Sequence, residues 1–259
     1  MKNSAINWTT HTANFWWGCQ KVSDGCKNCY AQSLSARYGK HLWGDPSNTD
    51  REKKIGIWKD LLKWDNEARF EGIRNRVFVS SMSDFLEDHP QVTELRYEAM
   101  RMIGGLKNLD VLILTKRPEN RHLLTIWEKH EYPDHVWMGT TVENQKVADT
   151  RIPLLVSYPV KVHFVSVEPM LERIDLDISG RNYGRDFEKY SERLQWIICG
   201  GESGPGCRPF DWQWAQDLRD QCQDTHTAFW MKQGGGHPNK RHKFSDIPED
   251  LRIRELPNG

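Results

Sequence analysis

Val111-Leu112-Ile113-Leu114-Thr115-Lys116-Arg117-Pro118 sets the pattern by which the rest of the chain can be read. An unbroken apolar run of branched residues stops abruptly at a hydroxyl, two cations and a proline. Such a run suits a strand buried on both faces, and the proline ends it. The pattern recurs on either side. Val77-Phe78-Val79 stops at Ser80-Ser81-Met82-Ser83-Asp84, and Val136-Trp137-Met138 at Gly139-Thr140-Thr141-Val142-Glu143-Asn144. Val162-His163-Phe164-Val165 stops at Ser166-Val167-Glu168-Pro169, and Trp196-Ile197-Ile198-Cys199 at Gly200-Gly201-Glu202-Ser203-Gly204. Ala228-Phe229-Trp230-Met231 stops at Lys232-Gln233-Gly234-Gly235. Phe15-Trp16-Trp17, running straight into Cys19, reads as a weaker first strand.

Helical patterns fill the gaps, at roughly 28–39, 57–73, 90–104, 118–130, 144–156 and 211–224. Continuous apolar strands alternating with helices predict a parallel sheet covered on its outer face. The fold class expected is therefore α/β, a complete or partial TIM-type (β/α) barrel with parallel strands. A doubly wound sheet is the alternative, weakened because no Gly-x-Gly-x-x-Gly follows the early strands. A single domain over 1–259 is expected. The polar, turn-rich segment at about 40–56 reads as an insertion or lid, and the Gly-, Pro- and charge-rich tail at about 234–259 as a surface wrapping. The charged stretch 172–193 reads as a helix plus a long loop.

Basic and acidic residues number 36 each, which argues against a protein that coats nucleic acid by bulk charge while allowing a local basic groove. No apolar run reaches the roughly 18 residues of a membrane span. The first residues lack the apolar core of a secretory signal, so a cytoplasmic protein is expected. The 12 tryptophans have two readings, packing in core and rim or platforms for stacked bases.

Barrel enzymes carry their chemistry at the C-terminal ends of the strands. Asp84, Lys116, Glu143, Glu168, Glu202 and Lys232 all fall there, and the expectation is a ring of charge around one mouth. Glu143, Glu168, Glu202, Lys116 and Lys232 are the expected catalytic residues. Tyr30, Ser81, Ser83, Asp84, Thr115 and Thr141 are the expected cofactor contacts. Lys116, Arg117, Arg208 and Lys232 are candidates to meet phosphate. Carboxylates beside lysines also pair with them, so part of the ring is expected to be structural.

Three of the six cysteines cluster, as Cys19, Cys26 and Cys29 with the spacing Cys-x6-Cys-x2-Cys. In a reducing compartment such a cluster reads as metal-binding rather than disulfide-bonded. Zinc would want a fourth ligand, for which His11, His41 and Cys207 are candidates, none at a finger-like spacing. An iron–sulfur cluster on three thiolates instead leaves one iron open to a substrate or cofactor. Cys199 and Cys222 read as small core residues.

The run from Asn14 to Tyr30, together with Ser80-Ser81-Met82-Ser83-Asp84, Thr115-Lys116-Arg117-Pro118, Ser166-Val167-Glu168-Pro169, Gly200-Gly201-Glu202-Ser203 and Lys232-Gln233-Gly234, resembles the bacteriophage three-Cys-motif family. That family is similar to the radical S-adenosylmethionine superfamily, with its partial (β/α) barrel and three-cysteine loop after the first strand. The resemblance implies a 4Fe-4S cluster on Cys19, Cys26 and Cys29, with S-adenosyl-L-methionine bound through its amino and carboxylate groups to the open iron. It further implies reductive cleavage to a deoxyadenosyl radical, an electron donor as partner, and a nucleic-acid base or nucleotide as substrate. The chain departs from the superfamily in three places. Its loop is three residues longer before Cys26, Tyr30 follows rather than precedes the last cysteine, and Ser81-Met82-Ser83-Asp84 replaces Gly-Gly-Glu. Asp84 then stands where a carboxylate would take the ammonium of the cofactor. Two other functions remain open on the residues alone. One is a carboxylate-based hydrolase or lyase with a structural metal site, and the other a non-enzymatic nucleic-acid-binding module.

Overall fold

The computed structural model describes residues 1–176, 193–204, 206–236 and 243–257. The chain divides into two compact units. The first comprises Met1–Val22, Cys29–Met138 and Pro159–Lys161, and the second Ser23–Asn28, Gly139–Tyr158 and Val162–Gly259.

In the first unit, β1 (His11–Ala13) lies parallel to β4 (Asn75–Val79), which lies parallel to β5 (Leu109–Thr115). Val79 aligns with Ala13 on one side and Ile113 on the other, so apolar side chains stack across the ladder. β2 (Trp16–Trp17) leaves this sheet and pairs antiparallel with β3 (Glu52–Lys53). The first strand is therefore His11–Ala13 and not Phe15–Trp17. Its polar members hide it from a hydropathy reading, because His11 and Thr12 are buried, and His11 Nδ1 accepts the Asn3 N–H at 3.2 Å.

The helices of this unit follow apolar periodicity. α1 (Tyr30–Arg37) starts directly after Cys29, and α2 (Ile57–Glu71) buries Ile57, Leu61, Trp64 and Ala68 on one stripe. α2 stops at Gly72, whose φ of 67° is the left-handed cap that glycine adopts without a Cβ penalty. α3 (Thr93–Gly105) follows, and the expected helix 118–130 is split into a 3-10 turn, Pro118–Leu123, and α4 (Thr125–Lys129).

β6 (Val136–Thr141) leads into the second unit, where α5 (Gln145–Val156) begins on an Asn144 cap that accepts the Val147 N–H at 3.0 Å. β7 (Val162–Val167), β8 (Leu194–Gly200) and β9 (Ala228–Gln233) form a parallel ladder, with α6 (Trp212–Asp224) between the last two in sequence. The strand order is β1-β4-β5-β6-β7-β8-β9. Part of the tail covers β9: Met231 N–H donates to Ile253 O and Glu255 N–H to Phe229 O, both at 2.9 Å. This occupies backbone groups that an edge strand would leave open. The stretch 172–193 that was expected to be helix plus loop falls outside the described residues beyond Leu176, as does the tail at 237–242 and 258–259.

Trp8, Trp16, Trp64, Trp127, Trp137, Trp196 and Trp230 are buried, so core packing accounts for most of the tryptophan excess. Cys199 and Cys222 are buried as expected. Among the described residues no helix is long and apolar enough to cross a membrane.

Two outcomes follow from the packing. A Cβ at Gly139 would come within 2.4 Å of the Phe164 ring, so Gly139→Ala is expected to destabilise by about 1–3 kcal/mol in denaturant unfolding, as overpacking does. Burial also lowers the pKa values of His135 and His163 below their ordinary 6.5. Both are neutral in the fold and take up protons more readily when unfolded. Their contribution to stability is therefore present above pH 6.5 and lost as pH falls toward the lower folded values. The urea midpoint is expected to drop between about pH 7 and pH 5, and His163→Gln to flatten that drop.

Candidate functional site

The strand ends of the first unit gather around Cys19. Asp84, just after β4, is buried and uses both oxygens. Oδ1 accepts Thr115 Oγ1 at 2.6 Å and the Leu86 N–H at 3.0 Å. Oδ2 accepts the Lys116 N–H at 3.0 Å and Arg117 Nη1 at 2.8 Å. Burial alone would raise its pKa, but the Arg117 charge and these hydrogen bonds outweigh burial and hold it below the ordinary carboxylate range.

Arg117 is itself buried and reaches further. Its Nη1 lies 3.7 Å from Cys19 Sγ, and its Nη2 donates to Gln20 O at 2.8 Å. Glu87 accepts the Gln20 N–H at 2.7 Å and receives Arg51 through two bonds, Nε at 2.8 Å and Nη2 at 2.9 Å. Arg117 Nη2 stands 3.7 Å from the same carboxylate. Two arginines and two acids thus form a buried neutral quartet that grips the peptide after Cys19 from both sides. Arg51 belongs to the 40–56 segment expected as a lid. That segment is tied to the cysteine: Cys19 N–H donates to Leu42 O at 3.2 Å, and Gly44 N–H to Cys19 O at 3.1 Å.

The turn Ser80–Asp84 is bracketed by neighbours of two cysteines. Gly18 N–H donates to Met82 O at 3.0 Å, and Tyr30 Oη to Ser81 O at 2.8 Å. Asn14 completes the hold, through Nδ2 to Ser81 Oγ at 3.0 Å and Oδ1 from Met82 N–H at 2.8 Å. Ser80 is buried with a φ of 69°, a strained conformation for a residue bearing a Cβ. The Ser80 and Ser83 hydroxyls are enclosed and lack a hydrogen-bond partner. Strain and unpaired hydroxyls thus coincide at one turn.

The second unit holds the remaining expected catalytic residues, each acid on its own cation. Glu143, fully buried, pairs with Arg151 at 3.1 Å and accepts the Gly25 N–H at 3.1 Å. A Cβ at Gly25 would come within 3.0 Å of the Glu143 carboxyl carbon, so glycine is needed for this approach. Arg151 Nη1 also donates to Thr141 O at 2.8 Å. Glu202 pairs with Arg208 at 2.6 Å and accepts Asn28 Nδ2 at 2.9 Å. Arg208 Nη2 donates to Asp24 O at 3.0 Å, and Asn28 Nδ2 to Gly206 O at 2.9 Å. Glu143 and Glu202 therefore seat the segment Ser23–Asn28 that carries Cys26. Glu168 and Lys232 form an ion pair whose acid is more exposed than Glu143 or Glu202.

Each of the four acids of the expected ring is thus held in an ion pair. Asp84 and Lys116 belong to the first unit, and Glu143, Glu168, Glu202 and Lys232 to the second. Arg117 and Arg208, expected to meet phosphate, are held by Asp84 and Glu202. Sequence reasoning missed Arg51, Glu87, Arg151 and Asn28. Arg51, Glu87 and Asn28 sit far in sequence from the groups they hold, and Arg151, eight residues from Glu143, lies across a strand-to-helix turn.

Cys19, Cys26 and Cys29 are free thiols, each half-buried. Burial pushes the Cys19 thiol pKa up in spite of Arg117, so a bound metal would have to supply the charge that deprotonates it. Among the described residues no three His, Cys, Asp or Glu side chains are grouped to hold a single metal ion.

A family model covers residues 3–252 of the chain and is described as Protein of unknown function (DUF5131). The chain belongs to this family. No curated protein matches it. Among solved structures it is similar to a Cys-to-Ser variant of spore photoproduct lyase, with a TM-score of 0.57 and 14% identity over 90% of this chain and 78% of that one. A second variant of that lyase, with bound AdoMet and dinucleoside spore photoproduct, matches with a TM-score of 0.54 and 13% identity over 89% of this chain and 78% of that one. The likeness shows the fold, a partial (β/α) barrel with parallel strands, as the strand pattern of this DUF5131 chain predicts.

Replacing Glu143 by Ala leaves Arg151 buried without its partner, and is expected to cost about 3–5 kcal/mol. The same change is expected to speed amide hydrogen exchange at Gly25 and its neighbours, while Glu143→Gln, which keeps an acceptor, exchanges at an intermediate rate.

Proposed function

We propose that this protein is an iron–sulfur enzyme that binds S-adenosylmethionine, cleaves it reductively, and acts on a nucleic-acid base or nucleotide. The observation that carries the reading is the Ser80–Asp84 turn. It is strained, holds two unsatisfied hydroxyls, and is hydrogen-bonded to the neighbours of Cys19 and Cys29. The fold shared with a lyase variant that holds AdoMet and a dinucleoside supports it.

The donor chemistry fits a 4Fe-4S cluster. Three free thiols lie within one short segment, Arg117 stands beside the first, and carboxylates fix the backbone around the second. Cys19, Cys26 and Cys29 would hold the cluster. When bound, it supplies an electron at low potential to the sulfonium of S-adenosylmethionine, delivered to the cluster by a separate electron donor.

The chain's own residues divide the remaining work. Ser81 of the turn would meet the polar end of the cofactor, with Tyr30, Ser83, Thr115 and Thr141 as further contacts. Asp84 is committed to Arg117, Thr115 and two backbone N–H groups, so its part is to orient Arg117 rather than to take the ammonium. Glu168 and Lys232 are the pair placed to hold or move a proton, between Glu168 Oε1 and Lys232 Nζ. A carboxylate hydrolase gains little support, because Asp84, Glu143, Glu168 and Glu202 each carry a cation.

Protein purified without oxygen is expected to contain iron and acid-labile sulfide, and to cleave S-adenosylmethionine when dithionite is supplied. Joint replacement of Cys19, Cys26 and Cys29 by Ala should abolish both. Reconstituted native protein that binds zinc alone, with no sulfide, overturns the reading.

A further inference from the structure

We propose that Arg117 is a positioning and tuning residue, a fixed counter-charge to the Cys19 sulfur that makes a cluster bound there easier to reduce. The inference rests on the iron–sulfur reading above and adds a residue that the three-cysteine motif does not contain.

Three observations carry it. First, the guanidinium lies beside the sulfur, with Nη1 at 3.7 Å. Second, it is locked there. Nη1 also meets Asp84 at 2.8 Å, Nη2 meets Gln20 O at 2.8 Å, and Glu87 stands 3.7 Å away. Third, it is buried, with a side chain only 7% exposed, so water screens its charge little. An arginine does not lose its proton in a protein, so the positive charge is permanent.

The quartet of Arg51, Glu87, Arg117 and Asp84 is neutral as a whole, yet not neutral as felt by Cys19. A positive group touches the sulfur, and Arg117 donates to Asp84 from the same nitrogen. The sulfur therefore meets the positive end of a dipole. Reduction transfers one electron from a low-potential donor to the cluster; no bond forms or breaks, no proton moves, and the cluster gains one negative charge. A positive charge held beside a ligand sulfur favours that more negative state, so losing it lowers the potential.

The test is a potentiometric titration of reconstituted native protein, Arg117→Gln, Arg117→Lys and the double variant Asp84→Asn/Arg117→Gln, read by the electron-paramagnetic signal of the reduced cluster. Iron content and thermal unfolding are measured alongside. Arg117→Gln is expected to shift the reduction equilibrium against the reduced form by roughly tenfold, about 59 mV for one electron. Arg117→Lys keeps the charge and should restore most of the shift. The double variant leaves no orphaned ion in the interior, so it tests the charge where the single variant fails to fold; a smaller downward shift is expected, because a dipole rather than a whole charge is removed. Native-like iron content with unchanged potentials in Arg117→Gln and in the double variant overturns the inference and leaves the proposed function intact. Native protein without iron and sulfide overturns the function itself.

Discussion

Buried charge organises the first unit. Arg51 meets Glu87 in a bidentate pair, Arg117 meets Asp84, and the two arginines also donate to Leu42 O, which accepts the Cys19 N–H as well, and to Gln20 O. Removing four charges from water costs several kcal/mol per ion, and the cost is offset only where geometry is good and the remaining hydrogen bonds are made. Here they are made: Asp84 alone accepts four. Arg96 adds a further restraint from α3, donating to the carbonyls of Phe85 and Glu87. Such an arrangement adds little net stability over an apolar core. What it provides is a fixed position for one cysteine.

The second unit treats Cys26 in the same way with different residues. Gly25 rests on Glu143, and Asn28 and the Asp24 carbonyl on Glu202 and Arg208. Asp24 and Gly25 lie in the six-residue loop before Cys26 and Asn28 just after it, and all three make these contacts. The longer loop is therefore anchored rather than slack, and two acids that a strand-end reading would assign to catalysis hold its backbone.

Membership of DUF5131 gives the chain a family without an activity, and the likeness to spore photoproduct lyase at 11–14% identity gives it a fold. The functional argument therefore rests on the site. In the first unit a strained serine and two enclosed hydroxyls share one turn, and a buried arginine stands beside Cys19.

The alternation of strand and helix was legible in the sequence because buried parallel strands must be apolar on both faces, so Val111–Leu114 and Ile197–Cys199 announce themselves. His11–Ala13 was not, because a strand whose polar side chains are satisfied by distant groups carries no apolar signal. The partners of the acids were not legible either. Asp84 with Arg117, Glu143 with Arg151 and Gly25, and Glu87 with Arg51 are pairings between strand ends, helices and loops. An acid at a strand end looks the same in sequence whether it faces substrate or an arginine. Only the fold brings the cation within 3 Å or so, and with it decides whether the carboxylate does chemistry or holds a cysteine in place.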